Sequence, residues 1–117
     1  MSQQTNLTEI FQQQYGYQPA VICHGPGRVN LIGDHTDYND GFVLPAAINF
    51  HTIIAIKRRE DDLFRAVSDV YPGKINSWRF GQEDQVHPEN DWANYLKGFT
   101  AALAASGLSA KGMDLAV

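Results

Sequence analysis

The chain has 117 residues, of which 9 are basic and 13 acidic, for a net charge of −4. That length suits one modest domain with a real core, and the acidic balance supplies no surplus cations for a nucleic acid or an anionic membrane surface. One cysteine excludes an internal disulfide, the N-terminus lacks the basic start and apolar run of a secretory signal, and no window approaches the roughly 18 apolar residues of a membrane span, so a reducing, cytoplasmic setting is expected.

Leu7, Ile10, Phe11 and Tyr15 recur at helical spacing and predict a short helix over 6–15, with Asn6 as its cap, Glu9 completing a capping box and Gly16 as its stop. Four β-rich runs follow, 20–24, 28–32, 42–48 and 50–57, divided by the breakers Gly25-Pro26-Gly27 and Asn39-Asp40-Gly41. Cys23 sits after the apolar Ala20-Val21-Ile22 and is expected to be a buried, inert thiol. The charged stretch from Arg58 to Asp62 reads as a solvated turn. Weaker strands at 63–68 and 75–80 flank Tyr71-Pro72-Gly73-Lys74, which has the composition of a hairpin loop.

Residues 91–106 form the one substantial helix, with Asp91 as cap, Gly107 just past the end, and Trp92, Tyr95, Leu96, Phe99 and Leu103 on one face. That stripe needs a sheet to cover. Met113-Asp114-Leu115-Ala116-Val117 opens a buried strand with no turn or charged tail behind it, so a truncated piece of a larger domain is expected. The order of elements indicates an α+β fold in which helices pack on a mixed or mostly antiparallel sheet.

The window from Gly25 to Gly41, GPGRVNLIGDHTDYNDG, differs from everything around it. A strand carrying the lone Arg28 runs into a turn dense in carboxylate, imidazole, hydroxyl and amide groups. Such a turn presents many directional hydrogen bonds together, which recognition of a neutral polyol requires, because every buried sugar hydroxyl must find a partner. Three other readings fail on their own spacing. A dinucleotide fingerprint needs glycine where Asn30 stands. A phosphate loop needs a hydroxyl residue after Gly73-Lys74, where Ile75 stands. A calcium loop starting at Asp37 needs glycine at Phe42 and glutamate at Ile48. His24, His51 and His87 have no partners at meaningful spacing and read as ordinary histidines.

The run GRVNLIGDHTDYNDGFVLPAAI, Gly27 to Ile48, resembles the galactokinase signature within the wider family of small-molecule (GHMP) kinases, and Trp92-Ala93-Asn94-Tyr95-Leu96-Lys97-Gly98 is similar to a second galactokinase stretch. The resemblance spans nearly the whole chain. It implies the N-terminal part of a GHMP-kinase-like domain, incomplete over 1–117, and ATP-dependent phosphorylation of galactose at its anomeric hydroxyl. By the same resemblance Arg28 stabilises the transferring phosphoryl group, where a fixed guanidinium suits charge spreading over the equatorial oxygens. Asp34, His35, Thr36, Asp37 and Tyr38 form the galactose-binding loop, and Ser68, Trp92 and Tyr95 lie near the nucleotide. ATP and magnesium are the implied cofactors, with magnesium ligands, phosphate loop and catalytic aspartate expected outside this chain. The resemblance therefore implies that this piece alone is inactive, exposes apolar surface and self-associates, and that the full-length protein is a monomer.

One position departs from the family pattern. Most galactokinases have glutamate where this chain has Asp34, one methylene shorter, which puts in question a hydrogen bond worth about 1–3 kcal/mol or inserts a water. A kinase of a related sugar such as N-acetylgalactosamine is one alternative. A galactose-sensing regulatory protein, which binds sugar and ATP without catalysis, is another.

Overall fold

A computed structural model describes residues 3–83 and 91–117. The side chain of Asp91, expected as a cap, and the whole of His87 lie outside what the structure describes. The elements in chain order are α1 (Gln3–Tyr15), β1 (Val21–Ile32), a single 3-10 turn (Asp37–Asn39), β2 (Leu44–Arg58), β3 (Leu63–Val67), β4 (Asn76–Arg79), α2 (Asp91–Ala105) and β5 (Met113–Ala116). The five strands form one mixed sheet in the order β1-β2-β5-β3-β4. β5 runs antiparallel to β2 and parallel to β3, and β3 pairs antiparallel with β4. The α+β class expected from the sequence is the class observed. Residues 24–53 form one compact unit, and residues 1–23 with 54–117 form the other.

Several sequence expectations need correction. α1 begins at Gln3, so Asn6 lies inside the helix and cannot be its cap; Gln3, Gln4 and Thr5 contain no breaker to hold the start back. The end is as expected, for Gly16 takes φ +80° and its N–H donates to the Gln12 carbonyl at 2.8 Å. Gly25-Pro26-Gly27 does not break the strand: β1 runs straight through it. β1 is a sheet edge, where a proline forfeits no ladder bond, and a Cβ on Gly27 would come within 3.1 Å of the Ile48 side chain. Small residues here permit close strand approach instead of a turn. Cys23 is exposed rather than buried, as its place on the edge strand allows.

A further correction concerns α2. Its covered positions are Ala93, Lys97 and Thr100, with Trp92 and Leu96 partly buried against the core, whereas Tyr95 is 84 % and Phe99 65 % exposed. The helix is rotated from the expected stripe because Thr100 is held to the sheet. Trp78 Nε1 donates to the Thr100 hydroxyl at 3.0 Å, and that hydroxyl donates to the Lys97 carbonyl at 3.0 Å. Past its end, the Leu108 N–H reaches the Leu103 carbonyl at 3.1 Å around Gly107 at φ +78°, the paired-bond helix stop that favours glycine.

The core under α2 is Phe64, Ala66, Trp78 and Leu115, with Phe64 and Trp78 stacked at 5.6 Å between ring centroids. Alternation along β5 turns Asp114 to the opposite face of the sheet from Leu115. There its carboxylate is fully buried, gripped by Arg65 Nε and Nη2 at 2.6 and 2.7 Å, with Arg59 Nη1 at 3.4 Å and the Tyr17 hydroxyl donating to it. The 58–62 stretch is thus more than a solvated turn, since Arg59 reaches inward to Asp114 while also pairing with Asp61 at 2.7 Å. The expected hairpin at 71–74 is present: β3 and β4 pair Leu63 with Arg79 and Ala66 with Asn76.

Candidate functional site

The polar turn between β1 and β2 lies wholly within the 24–53 unit. β1 and β2 face each other as a hairpin, in which a Cβ on Gly25 would meet the Thr52 carbonyl and one on Gly27 the Phe50 carbonyl. The same pairing brings His24 and His51 edge to face with ring centroids 6.3 Å apart, a relationship that 26 intervening positions hide in the sequence.

Backbone hydrogen bonds wind the turn tightly. The N–H groups of Thr36 and Asp37 both donate to the Gly33 carbonyl, at 3.2 and 3.0 Å, and those of Asn39 and Gly41 donate to the Thr36 carbonyl, at 3.1 and 2.7 Å. Gly33 has φ +101°, and a Cβ there would lie 2.5 Å from the Phe42 carbonyl oxygen. Only glycine fits that position. Thr36 pins the crossing by donating its hydroxyl proton to the Phe42 carbonyl at 2.8 Å, while its methyl side fills the space a Gly41 side chain would need.

The side chains expected to meet a sugar are arranged by this winding. Asp34, His35, Asp37 and Tyr38 are all exposed. His35 Nδ1 lies 2.9 Å from the Tyr38 hydroxyl, their rings at right angles, and the Asn39 amide donates to the His35 carbonyl at 2.9 Å. With Nδ1 occupied, Nε2 is the imidazole atom left to address a ligand. Asn30, on β1, donates its side-chain amide to Asp37 Oδ2 at 3.1 Å. Arg28 is exposed on the same strand. Two carboxylates that accept, an imidazole that accepts or donates, and a phenol that does both form a hydrogen-bonding set suited to hydroxyl groups.

Residues 9–58 match the family model described as the galactokinase galactose-binding signature. The chain is also similar to Lactococcus lactis galactokinase, a crystal structure in complex with galactose: 33 % identical, TM-score 0.82, covering 98 % of this chain and 30 % of that one. In signature and in fold the chain is of galactokinase type. It spans 30 % of the length of the galactokinase it matches.

The three residues expected near a nucleotide lie in the other unit of this galactokinase-like chain and differ in setting. Ser68 follows β3 directly, is buried, and accepts the Val70 N–H at 3.2 Å, so its hydroxyl shapes the turn leaving the strand. Trp92 packs partly against the core cluster, while Tyr95, three positions on, presents its ring to solvent. An exposed aromatic face on a helix can stack on a base. Among the described residues no three acidic, histidine or cysteine side chains gather as metal ligands, and no helix is long and apolar enough to cross a membrane.

Reading the sequence for chemistry missed Asn30. The signal was available, since Asn30 follows Arg28 by two and strand alternation puts both on one face. Asp114 and its arginines were missed for a different reason: their partners lie 49 and 55 residues away in sequence.

Proposed function

We propose that the protein is a galactokinase, transferring the γ-phosphoryl group of ATP to the anomeric hydroxyl of galactose in the cytoplasm. The observation that carries this is the wound turn from Gly33 to Gly41, which holds the matched signature in a conformation its own hydrogen bonds define. Asp34 and Asp37 accept from sugar hydroxyls, and His35, fixed at Nδ1 by Tyr38, addresses the sugar through Nε2. Thr36 contributes chiefly by holding the turn. Arg28 puts a permanent cation on the strand that leads into the turn, where it stabilises charge on the phosphoryl group in transfer. Tyr95, with Trp92 one turn before it on α2, offers the adenine a stacking face, and Ser68 shapes the turn leaving β3. Magnesium would screen the phosphate charge during transfer; none of the described residues is assigned to it.

Asp34 supports a second reading. Its carboxylate is one methylene shorter than the family's usual glutamate, which favours altered sugar preference, including an N-acetylated galactose. The intact protein incubated with ATP and each sugar, followed by ADP release, tests the proposal. Turnover of galactose supports it, turnover of N-acetylgalactosamine alone supports the second reading, and galactose binding without turnover indicates a sensor instead.

A further inference from the structure

Asn30 is half-buried on β1, and its only described side-chain bond is the one its amide donates to Asp37 Oδ2, at 3.1 Å. Asp37 is exposed and opens the 3-10 turn, where its carboxylate would otherwise rotate freely about two side-chain torsions. Alternation along β1 places Asn30 on the same strand face as Arg28. The bond therefore ties a carboxylate on the turn to the strand that carries the guanidinium.

We infer that Asn30 is a positioning residue that aims the Asp37 carboxylate at the sugar; this rests on the galactose-binding reading above. The chemistry favours an amide here. It donates to Oδ2 without adding charge, so Asp37 keeps its second oxygen and a further lone pair on Oδ2 for sugar hydroxyls. A lysine or arginine in its place would form an ion pair and compete with the sugar for both oxygens. An aliphatic residue would leave the carboxylate unaimed, and each rotamer frozen on binding weakens affinity.

The test is calorimetric titration of galactose into the intact protein and its variants Asn30→Ala, Asn30→Asp and Asp37→Ala, with thermal melts alongside. Asn30→Ala is expected to weaken galactose about tenfold while ATP binds as before, and to cause no further loss when combined with Asp37→Ala. Asn30→Asp keeps the shape of the side chain but sets two carboxylates against each other. Its galactose affinity, relative to the parent, should be poorest at pH 8 and recover toward roughly pH 5, where one shared proton restores a bridging hydrogen bond. A merely structural role would lower and restore the melting temperature in step with affinity, whereas positioning moves affinity with the melting temperature held. If Asp37→Ala weakens galactose while Asn30→Ala does not, or if Asn30→Asp shows no pH-dependent recovery, the positioning role is overturned and the sugar site stands. If Asp37→Ala itself leaves galactose binding unchanged, the galactose reading fails and the inference with it.

Discussion

The Tyr17 hydroxyl donates to the Asp114 carboxylate across 97 positions of sequence, joining the segment after α1 to the central strand β5. Arg65 closes the same carboxylate in a two-point grip from the neighbouring parallel strand. Asp114 is fully buried, so its charge is tolerated only with these partners in place. Asp114→Ala removes the shared acceptor and leaves the Arg65 guanidinium unpaired beside Tyr15 and Tyr17. We expect a loss of about 3–5 kcal/mol of stability, read from the midpoint of urea denaturation. A midpoint unchanged within error would show that the cluster is solvated in solution.

Acid and alkali should act on opposite ends of this cluster. Burial alone would raise the Asp114 carboxyl, but the hydrogen bonds from Arg65 and Tyr17, with the charges of Arg65 and Arg59, hold it below the usual range. A carboxyl depressed by folding stabilises the native state above its unfolded value near 4 and loses that contribution as pH falls through the depressed value. Tyr15 is shifted upward, first by burial and then by the charge of Asp114, so its contribution is complete below about pH 10 and is lost as pH rises beyond. Thermal melts should therefore form a plateau between roughly pH 5 and 9 and fall on both sides. Asp114→Asn should flatten the acid limb, and an acid limb identical to the parent's would contradict this assignment.

On the other face of the sheet, Trp78 Nε1 depends on one acceptor, the Thr100 hydroxyl at 3.0 Å. Thr100→Val keeps the shape of the side chain and leaves the indole N–H buried without a partner, at a cost of about 1–3 kcal/mol. Thr100→Ser should retain the bond and most of the stability. Equal melting temperatures for the valine variant and the parent would show that α2 does not rely on this contact.

Gly33 carries the sharpest backbone constraint in the polar turn. Gly33→Ala meets both an unfavourable φ of +101° and the Phe42 carbonyl, and a strained backbone of this kind costs on the order of 1–3 kcal/mol. Galactose affinity should fall by about tenfold or more, while circular dichroism of the helices and sheet changes little. Unaltered galactose binding would show that the wound form of the turn is not the binding form.

Much of this could be read along the chain, and what could not has a common cause. Local signals served well: Gly16 and Gly107 end the helices as expected, and Tyr71-Pro72-Gly73-Lys74 lies between two strands that pair. The polar turn was legible because its donors and acceptors lie within nine residues, between Gly33 and Gly41. Relationships set by the sheet were hidden. Gly25-Pro26-Gly27 was mistaken for a break because nothing local says that β1 is an edge strand tolerant of proline. The α2 face was misjudged because Thr100, polar by composition, is buried by a single bond to Trp78. Asp114 read as one polar residue in an apolar strand until Tyr17, Arg59 and Arg65 were brought to it from three separate stretches of the chain.

The most direct measurement is calorimetry of galactose and of ATP binding to the intact protein and to Asp37→Ala, both confirmed as folded. Galactose affinity should fall by about 10- to 100-fold with ATP affinity unchanged, because Asp37 belongs to the wound turn and not to the aromatic face on α2. Equal losses for both ligands, or none for galactose, would contradict the assignment of this turn as the sugar site.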